Sequence, residues 1–406
     1  MSQQPLPLEG INVIDFGTAI VGPLTGRIFA DYGATVIKVE SSLRPDVLRL
    51  STPQRDGVSG IDRGGYFPPF NAGKMSLSLN MTKPKAQDII KKLVPWADVL
   101  IETFTPRVMQ GWGLGYQALS QLNPRLIMLS HCLQGQTGPR ANMRGFGTQS
   151  AALTGLFEVT GWPGEDPVGP YAAYPDWIAY HFTVSALLAA LDYRERTGKG
   201  QYIDQAQAES TMHFLAQSIL DYSATGRIAT RMGNRDPQMA PHGVFPCRGD
   251  DEWCAIAVED EEAWKSFCSA MGRPELATDP RFASLAQRKA NEDALEELVS
   301  DWTRPQDAKE LMHALQAAGV AAGYVAKSKD LFEDPQLRHR GGFVEMDHPI
   351  IRKHRVHTFG FQLSETPVAP RTPAPCMGEH NDYVLKEIIG LSEADIETCR
   401  NENVLL

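Results

Sequence analysis

INVIDFGTAIVGPLTGRIFADYGATVIKVE, residues 11–40, decides the fold class. INVIDFG (11–17) is a short, β-branched apolar run that ends on a turn signal, which predicts a buried strand. TAIVGPLTGRIFADYGA (18–34) has helical spacing, and ATVIKVE (34–40) is a second strand. Strand, helix and strand in so short a stretch form a βαβ unit, and such a unit implies parallel strands joined by a right-handed crossover.

The alternation continues outward. MSLSLNM (75–81) predicts a strand, and TKPKAQDIIKKLVPWA (82–97) a helix opened by Thr82 with Pro84 in its first turn. DVLIETF (98–104) and PRLIMLSHC (124–132) are further apolar strands, separated by a helical YQALSQL (116–122). The pattern predicts an α/β fold: an open, doubly wound, Rossmann-like parallel sheet. A long helix is expected after Asp176, with Arg194 and Arg196 in its last turn and Gly198 at its stop. IDQAQAESTMHFLAQSILDYSATG (203–226) predicts another. From Arg231 the texture changes to a polar, Gly- and Pro-rich stretch, and EWCAIAVEDEEAWKSFCSAMG (252–272) opens a smaller α+β unit. The expected organisation is a large domain over 1–225, a linker over 226–245, a small α+β domain over 246–325 and a return segment over 326–406, ending in the helix HNDYVLKEIIGL (380–391).

Composition bounds the function. Lys and Arg number 39 against 49 Asp and Glu, a net charge of −10, which repels polyanions and argues against nucleic acid as a partner. No apolar run approaches the ~20 residues that span a bilayer, so no membrane partner is expected. The opening MSQQPLPLEG lacks the features of a signal peptide, and the cytoplasm is the expected location. The six cysteines form no CxxC pair, and His354 and His357 gather no further ligands, so no metal site is expected.

Two stretches invite chemistry. Glycines after the first strand suggest a dinucleotide site, but Gly17, Gly22 and Gly26 do not fit G-x-G-x-x-G, and a tight turn with small packing residues accounts for them. In AAYPDWIAYHF (172–182), Asp176 opens a long apolar helix. Its carboxylate can cap the helix, and at a helix N-terminus it stays ionised. Such a carboxylate attacks a thioester without a general base.

The segment from Tyr174 to Asp204, YPDWIAYHFTVSALLAALDYRERTGKGQYID, closely resembles the nucleophile region of family III CoA-transferases, which include formyl-CoA, carnitine and benzylsuccinate CoA-transferases. The resemblance runs through residues 10–40, FNAGKMSLSLNM (70–81), ADVLIETFTPRVMQGWGLGYQAL (97–119), NPRLIMLSHCLQGQTGP (123–139), the stretch from Gly233, LQAAGVAAGYVAKSKDLFEDPQL (315–337) and GEHNDYVLKEIIGL (378–391), in the family's order. It implies that Asp176 takes CoA from an acyl-CoA donor such as succinyl-CoA, as an aspartyl-CoA thioester, and passes it to a carboxylic acid. CoA thioesters would be substrates, with no permanently bound cofactor.

By the same resemblance Lys74, Arg107 and Arg49 are candidate partners of the CoA phosphates, with Arg140 and Arg144 nearer the acyl side. Thr103 and Phe104 match a pair beside the adenine wall, and Ile20 and Val21 line the thioester end. Gln134, Gly135 and Tyr180 fall at the acyl pocket or oxyanion hole, to which Gly233 or Gly243 could contribute; turn formation explains those glycines equally well. Trp162, Tyr171, Tyr174, Trp177, Tyr180 and Phe182 around the nucleophile hint at a bulky or aromatic acid. Tyr180, Leu133-Gln134-Gly135, Lys74-Met75-Ser76 and Thr103 depart from the family's usual residues. The resemblance further implies an interlocked-ring homodimer, or pairing with a related subunit. The nearest rival is an α-methylacyl-CoA racemase, but Phe146 stands where that enzyme has its histidine base.

Overall fold

The computed structural model describes residues 5–406. Six parallel strands form the main sheet: β1 (Asn12–Asp15), β2 (Thr35–Glu40), β3 (Met75–Ser78), β4 (Val99–Glu102), β5 (Ile127–Cys132) and β6 (Gln201–Ala206), in the order β3-β2-β1-β4-β5-β6. Strand β4 lies at the centre and is buried at every residue, as its apolar run Val99–Ile101 requires, with the Glu102 carboxyl buried at its end.

Alternate side chains of each strand face opposite layers. Ile14, Ile37, Leu77, Leu100 and Met128 pack on one face with Ile89, Ile90 and Leu93. Val13, Val36, Val99, Ile101 and Ile127 pack on the other with Phe29, Leu187 and Ala190. The helices concerned are α1 (Val21–Asp31), α2 (Pro84–Leu93) and, after α3 (Gly147–Leu153), the long α4 (Tyr174–Thr197). Helix α4 ends on Gly198 in the left-handed conformation, with buried Arg194 of its last turn 2.8 Å from Asp98.

Three local readings are corrected. Helix α2 starts at Pro84 after Lys83, because the Thr82 hydroxyl is spent on Asn80 Oδ1 at 2.6 Å. The helix expected over 203–226 opens as the edge strand β6 and only then becomes α5 (Gln207–Met212) and α6 (Ala216–Thr225). The stretch 380–391 is helical as expected, a short α turn at Asn381–Tyr383 running into a π-helix over Val384–Ile388, but it is not the last helix, which is α7 (Glu393–Asn401).

The chain forms two compact units: Met1–Leu156, Gly169–Ile228 and Pro335–Leu406, and Phe157–Val168 with Ala229–Asp334. The sequence assigns 157–168 to the large domain, whereas in the structure these residues join the second unit. There Gly233 N donates to Gly161 O at 2.8 Å, and Arg231 pairs with Glu158 at 3.2 Å. This second unit holds the antiparallel strands β7 (His242–Pro246), β8 (Trp253–Ala257) and β9 (Ala321–Tyr324) over a core of Trp264, Phe267, Phe282 and Leu315.

From Pro335 the return segment belongs to the first unit, while its first residues, 326–334, join the second; in the first unit it adds the hairpin β10 (Phe343–His348) and β11 (Arg352–His357). It also closes the β3 edge of the large sheet: His380 N donates to Ser76 O at 3.0 Å, and Asn80 N to Val404 O at 2.8 Å. Val384, Leu385, Ile396 and Val404 join the core on that side. Among the described residues no helix is long and apolar enough to cross a membrane.

Candidate active site

The order of the sheet reverses direction between β1 and β4, and in open parallel sheets the crevice beyond the strand ends at that point receives ligands. A cavity of about 370 Å³ opens there. Its wall is made by Thr18–Val21 at the start of α1, Thr103 and Thr105 after β4, His131–Leu133 at the end of β5, Met143–Phe146, and the side chains of Asp176 and Gln207.

Asp176 lies in the first turn of α4, two residues into the helix, and is 8% exposed. It does not cap the helix, which corrects the capping reading: the N-cap is Ala173, whose carbonyl accepts the Asp176 N–H at 2.9 Å. The carboxylate is instead free for the cavity, with one hydrogen bond, from Gln207 Nε2 to Oδ1. Burial pushes its pKa up to about 6, and the Gln207 N–H opposes that rise. The positive end of α4 favours the ionised form further. The group is therefore a carboxylate at neutral pH, stripped of most of its water.

Sequence reasoning missed Gln207 and His131. Gln207 opens α5 and is 2% exposed; its Oε1 has no partner. His131 is 3% exposed, with Nδ1 3.0 Å from Thr183 Oγ1 and Nε2 without a partner. Burial lowers its pKa to about 3, so the imidazole is neutral. A histidine near the carboxyl end of a buried parallel strand was the signal available for it.

Of the residues named from the sequence, Ile20, Val21, Thr103 and Arg144 lie in the cavity wall with Asp176. Phe104 packs edge-on against Trp112 at 5.4 Å, and its N–H donates to Glu102 Oε2 at 2.6 Å. Arg107 and Arg140 are exposed, the former as the first residue of a short helix over Arg107–Gly111.

Lys74 and Arg49 are corrections. The Lys74 ammonium is wholly buried, and its three donors go to Asp15 Oδ2 at 2.7 Å, Pro23 O at 2.8 Å and Asn71 Oδ1 at 3.0 Å. A lysine with every donor engaged inside the fold has none for a phosphate. Burial lowers it to about 8, against the pull of Asp15. Arg49 is likewise enclosed: its guanidinium grips Glu40 at 2.6 Å and Asp62 at 2.5 Å, and stacks 3.6 Å from the centre of the Phe67 ring.

Tyr180 is a third correction, since it packs with Leu24, Phe67 and Ala179 in a core cluster and not in the cavity wall. Nor do Trp177, Phe182 and Tyr171 form that wall: Trp177 packs on Phe70 at 5.4 Å, Phe182 stacks on His213 at 4.9 Å, and Tyr171 is 90% exposed. The hint of a bulky or aromatic acid loses its basis. Gly135, at φ 79°, lies over Asp204, which also accepts the Gln136 N–H at 2.8 Å. Gln134 and Gly135 turn their backbone N–H groups to the Cys132 thiol, which burial pushes up to about 11. Gly233 and Gly243 belong to the second unit.

The chain matches the family model described as CoA-transferase family III over residues 8–381. It is 33% identical over 407 residues to the succinyl-CoA–D-citramalate CoA-transferase of Chloroflexus aurantiacus, covering 100% of both chains. It is 33% identical over 410 residues to the succinyl-CoA–L-malate CoA-transferase β subunit of that bacterium, covering 98% of each. Among solved structures, a CaiB/BaiF family protein from Brucella suis superposes with a TM-score of 0.86 at 31% identity, over 95% of this chain and 100% of that one. Family model, full-length relatives and fold agree: the chain belongs to CoA-transferase family III and is a CoA-transferase that moves CoA from acyl-CoA to an acid.

Proposed function

We propose that CoA passes through Asp176 itself, from succinyl-CoA or a similar donor to a small carboxylic acid. The observation that carries this reading is the buried, ionised carboxylate held by Gln207 in the switch-point cavity. Asp176 attacks the donor thioester carbonyl, the C–S bond breaks, and a mixed anhydride and CoA thiolate form. The thiolate attacks the aspartyl carbonyl, giving aspartyl-CoA and the donor carboxylate. The acceptor carboxylate attacks in turn, and the thiolate leaves and returns to the acceptor's acyl carbon, freeing Asp176. No proton changes hands, so no general base is needed.

Each attack builds an oxyanion, which needs preorganised donors. The start of α1 supports this, because its N-cap Ile20 supplies no side-chain cap for the Val21 and Gly22 N–H groups beside the cavity. A racemase-like role finds no support: Phe146 lines the cavity where a base would stand, and burial, which lowers His131 to about 3, leaves that imidazole a weak base.

The chain is further proposed to work as a dimer. Leu220, Tyr222 and Ile228 on and after α6 are 70%, 60% and 71% exposed, large apolar side chains that a partner would cover. A relative named as a β subunit keeps a two-chain enzyme in view for this protein, and activity of the chain purified alone decides it.

Incubation with succinyl-CoA and hydroxylamine should convert Asp176 to its hydroxamate, read by peptide mass. Asp176→Ala should abolish exchange, and a variant retaining activity within a few fold of wild type overturns the assignment.

A further inference from the structure

The cavity beside Asp176 holds two buried acceptors with no donor. The Thr183 hydroxyl gives its one hydrogen to Ala179 O at 3.0 Å, so it can only accept from His131 Nδ1 at 3.0 Å. That fixes the tautomer: Nδ1 carries the hydrogen, and Nε2 presents a bare lone pair. No protein group meets it. On Gln207, the amide nitrogen faces Asp176, which leaves Oε1 as a second acceptor without a partner. Leaving such groups unsatisfied in a buried wall is unfavourable, so their natural complement is a ligand that brings hydrogen-bond donors.

Neither reacting group of a CoA transfer supplies one. A carboxylate and a thioester carbonyl are acceptors only. The donor must therefore come from elsewhere on the substrate. We propose that His131 Nε2 reads a hydroxyl on the carboxylic acid, with Gln207 Oε1 beside it, so that the acids this enzyme serves are hydroxy acids. The inference rests on the transferase reading above. His131 is a specificity determinant, and Thr183 positions it by holding the tautomer. Burial keeps the imidazole neutral through the physiological range, so the lone pair stays available as an acceptor.

The experiment compares acids that differ by one hydroxyl: 2-hydroxyglutarate with glutarate, lactate with propionate, and 3-hydroxybutyrate with butyrate, each with succinyl-CoA as donor. In the wild type, kcat/KM should favour the hydroxy member of at least one pair by tenfold or more, because a site built to bind a hydroxyl rejects the analogue lacking it. His131→Phe should bring that ratio within threefold of one while transfer to the deoxy acid persists. Thr183→Val should lower the ratio too, since Nδ1 then loses its acceptor and the ring can turn a proton toward the cavity. His131→Asn, which restores an acceptor, should recover part of the preference.

A wild-type ratio near one in every pair overturns the inference and needs no variant to fold. A ratio that His131→Phe leaves intact also overturns it. So does an equal loss for both acids with a raised KM for succinyl-CoA, which would assign the lone pair to an amide N–H of CoA. Absence of transfer to any acid, with no hydroxamate at Asp176, removes the transferase reading and this one with it.

Discussion

A methyl group added to Gly147 would sit 2.9 Å from both Cγ and Oδ1 of Asp176. The glycine is the first residue of α3, and its bare α-carbon forms one wall of the slot that holds the nucleophile. Gly147→Ala should push the carboxyl off the line of attack. A misplacement on the scale of 1 Å costs about 10²-fold in rate. We expect a loss of that order in kcat, with some loss of thermal stability beside it, because the methyl would also meet Ala173 Cβ at 2.9 Å. A variant with wild-type turnover would mean the carboxyl moves freely in its slot.

The titration of Asp176 should appear in the rate. Only the carboxylate attacks, so aspartyl-CoA formation should climb with pH through about 6 and level off above it. Stopped-flow release of CoA thiol in a single turnover reads this directly. A flat profile between pH 5 and 7, both approximate limits set by ordinary titration widths, would place the ionisation elsewhere.

The same burial has a cost in stability. The folded-state carboxyl titrates above its unfolded value of ~3.9, so the stability it contributes is fully present below that pH and is lost as the pH rises through about 6. Asp176→Asn should therefore be more stable than wild type at neutral pH, by about 1–3 kcal/mol, and no more stable in acid below both values. Urea unfolding at the two pH values tests the sign. A variant less stable at neutral pH would show that the carboxylate is better solvated than its burial implies.

Lys74 should matter to folding more than to CoA. Removing it leaves Asp15 charged, buried and missing its cation, a loss of about 3–5 kcal/mol. Lys74→Met should show that loss in chemical denaturation, and Asp15→Asn combined with Lys74→Met should recover a good part of it. Single and double variants equally unstable would mean the pair is not the reason the lysine is there.

Arg144 has the opposite profile. It lies in the cavity wall and is exposed, so it is available to an anionic substrate. Arg144→Ala should raise KM for the acid about tenfold, on the scale of one charge-assisted hydrogen bond, with little effect on stability. An unchanged KM would leave Arg144 a solvated surface residue.

The central strands were legible because strands buried on both faces read as apolar runs, and Val99–Ile101 is one of them. Strand β6 was not: its residues alternate between half-buried and exposed, and QYIDQA carries too little apolar surface to separate it from the helix that follows. The long helix was plain, but its first residue was not, and that offset turned Asp176 from a cap into a first-turn side chain. Lys74 and Arg49 read as candidate phosphate partners because Asp15 and Glu40, which engage them, lie on strands β1 and β2, and residue type cannot reveal that meeting. Gln207 and His131 share that difficulty, since an unpaired buried acceptor is a property of its surroundings.

The first unit is made from three separated pieces of chain, and the last of them supplies Val384, Leu385, Ile396 and Val404 to its core and closes the β3 edge. On the ribosome, α2 and the sheet face beneath it emerge some three hundred residues before the segment that covers them. The nascent chain carries that greasy face and an open strand edge through most of its synthesis, while the second unit, whose own pieces lie between residues 157 and 334, has everything it needs earlier. Assembly of the catalytic unit is thus a late event in the protein's birth, and the interval before it is when an apolar face and an open strand edge stand uncovered together.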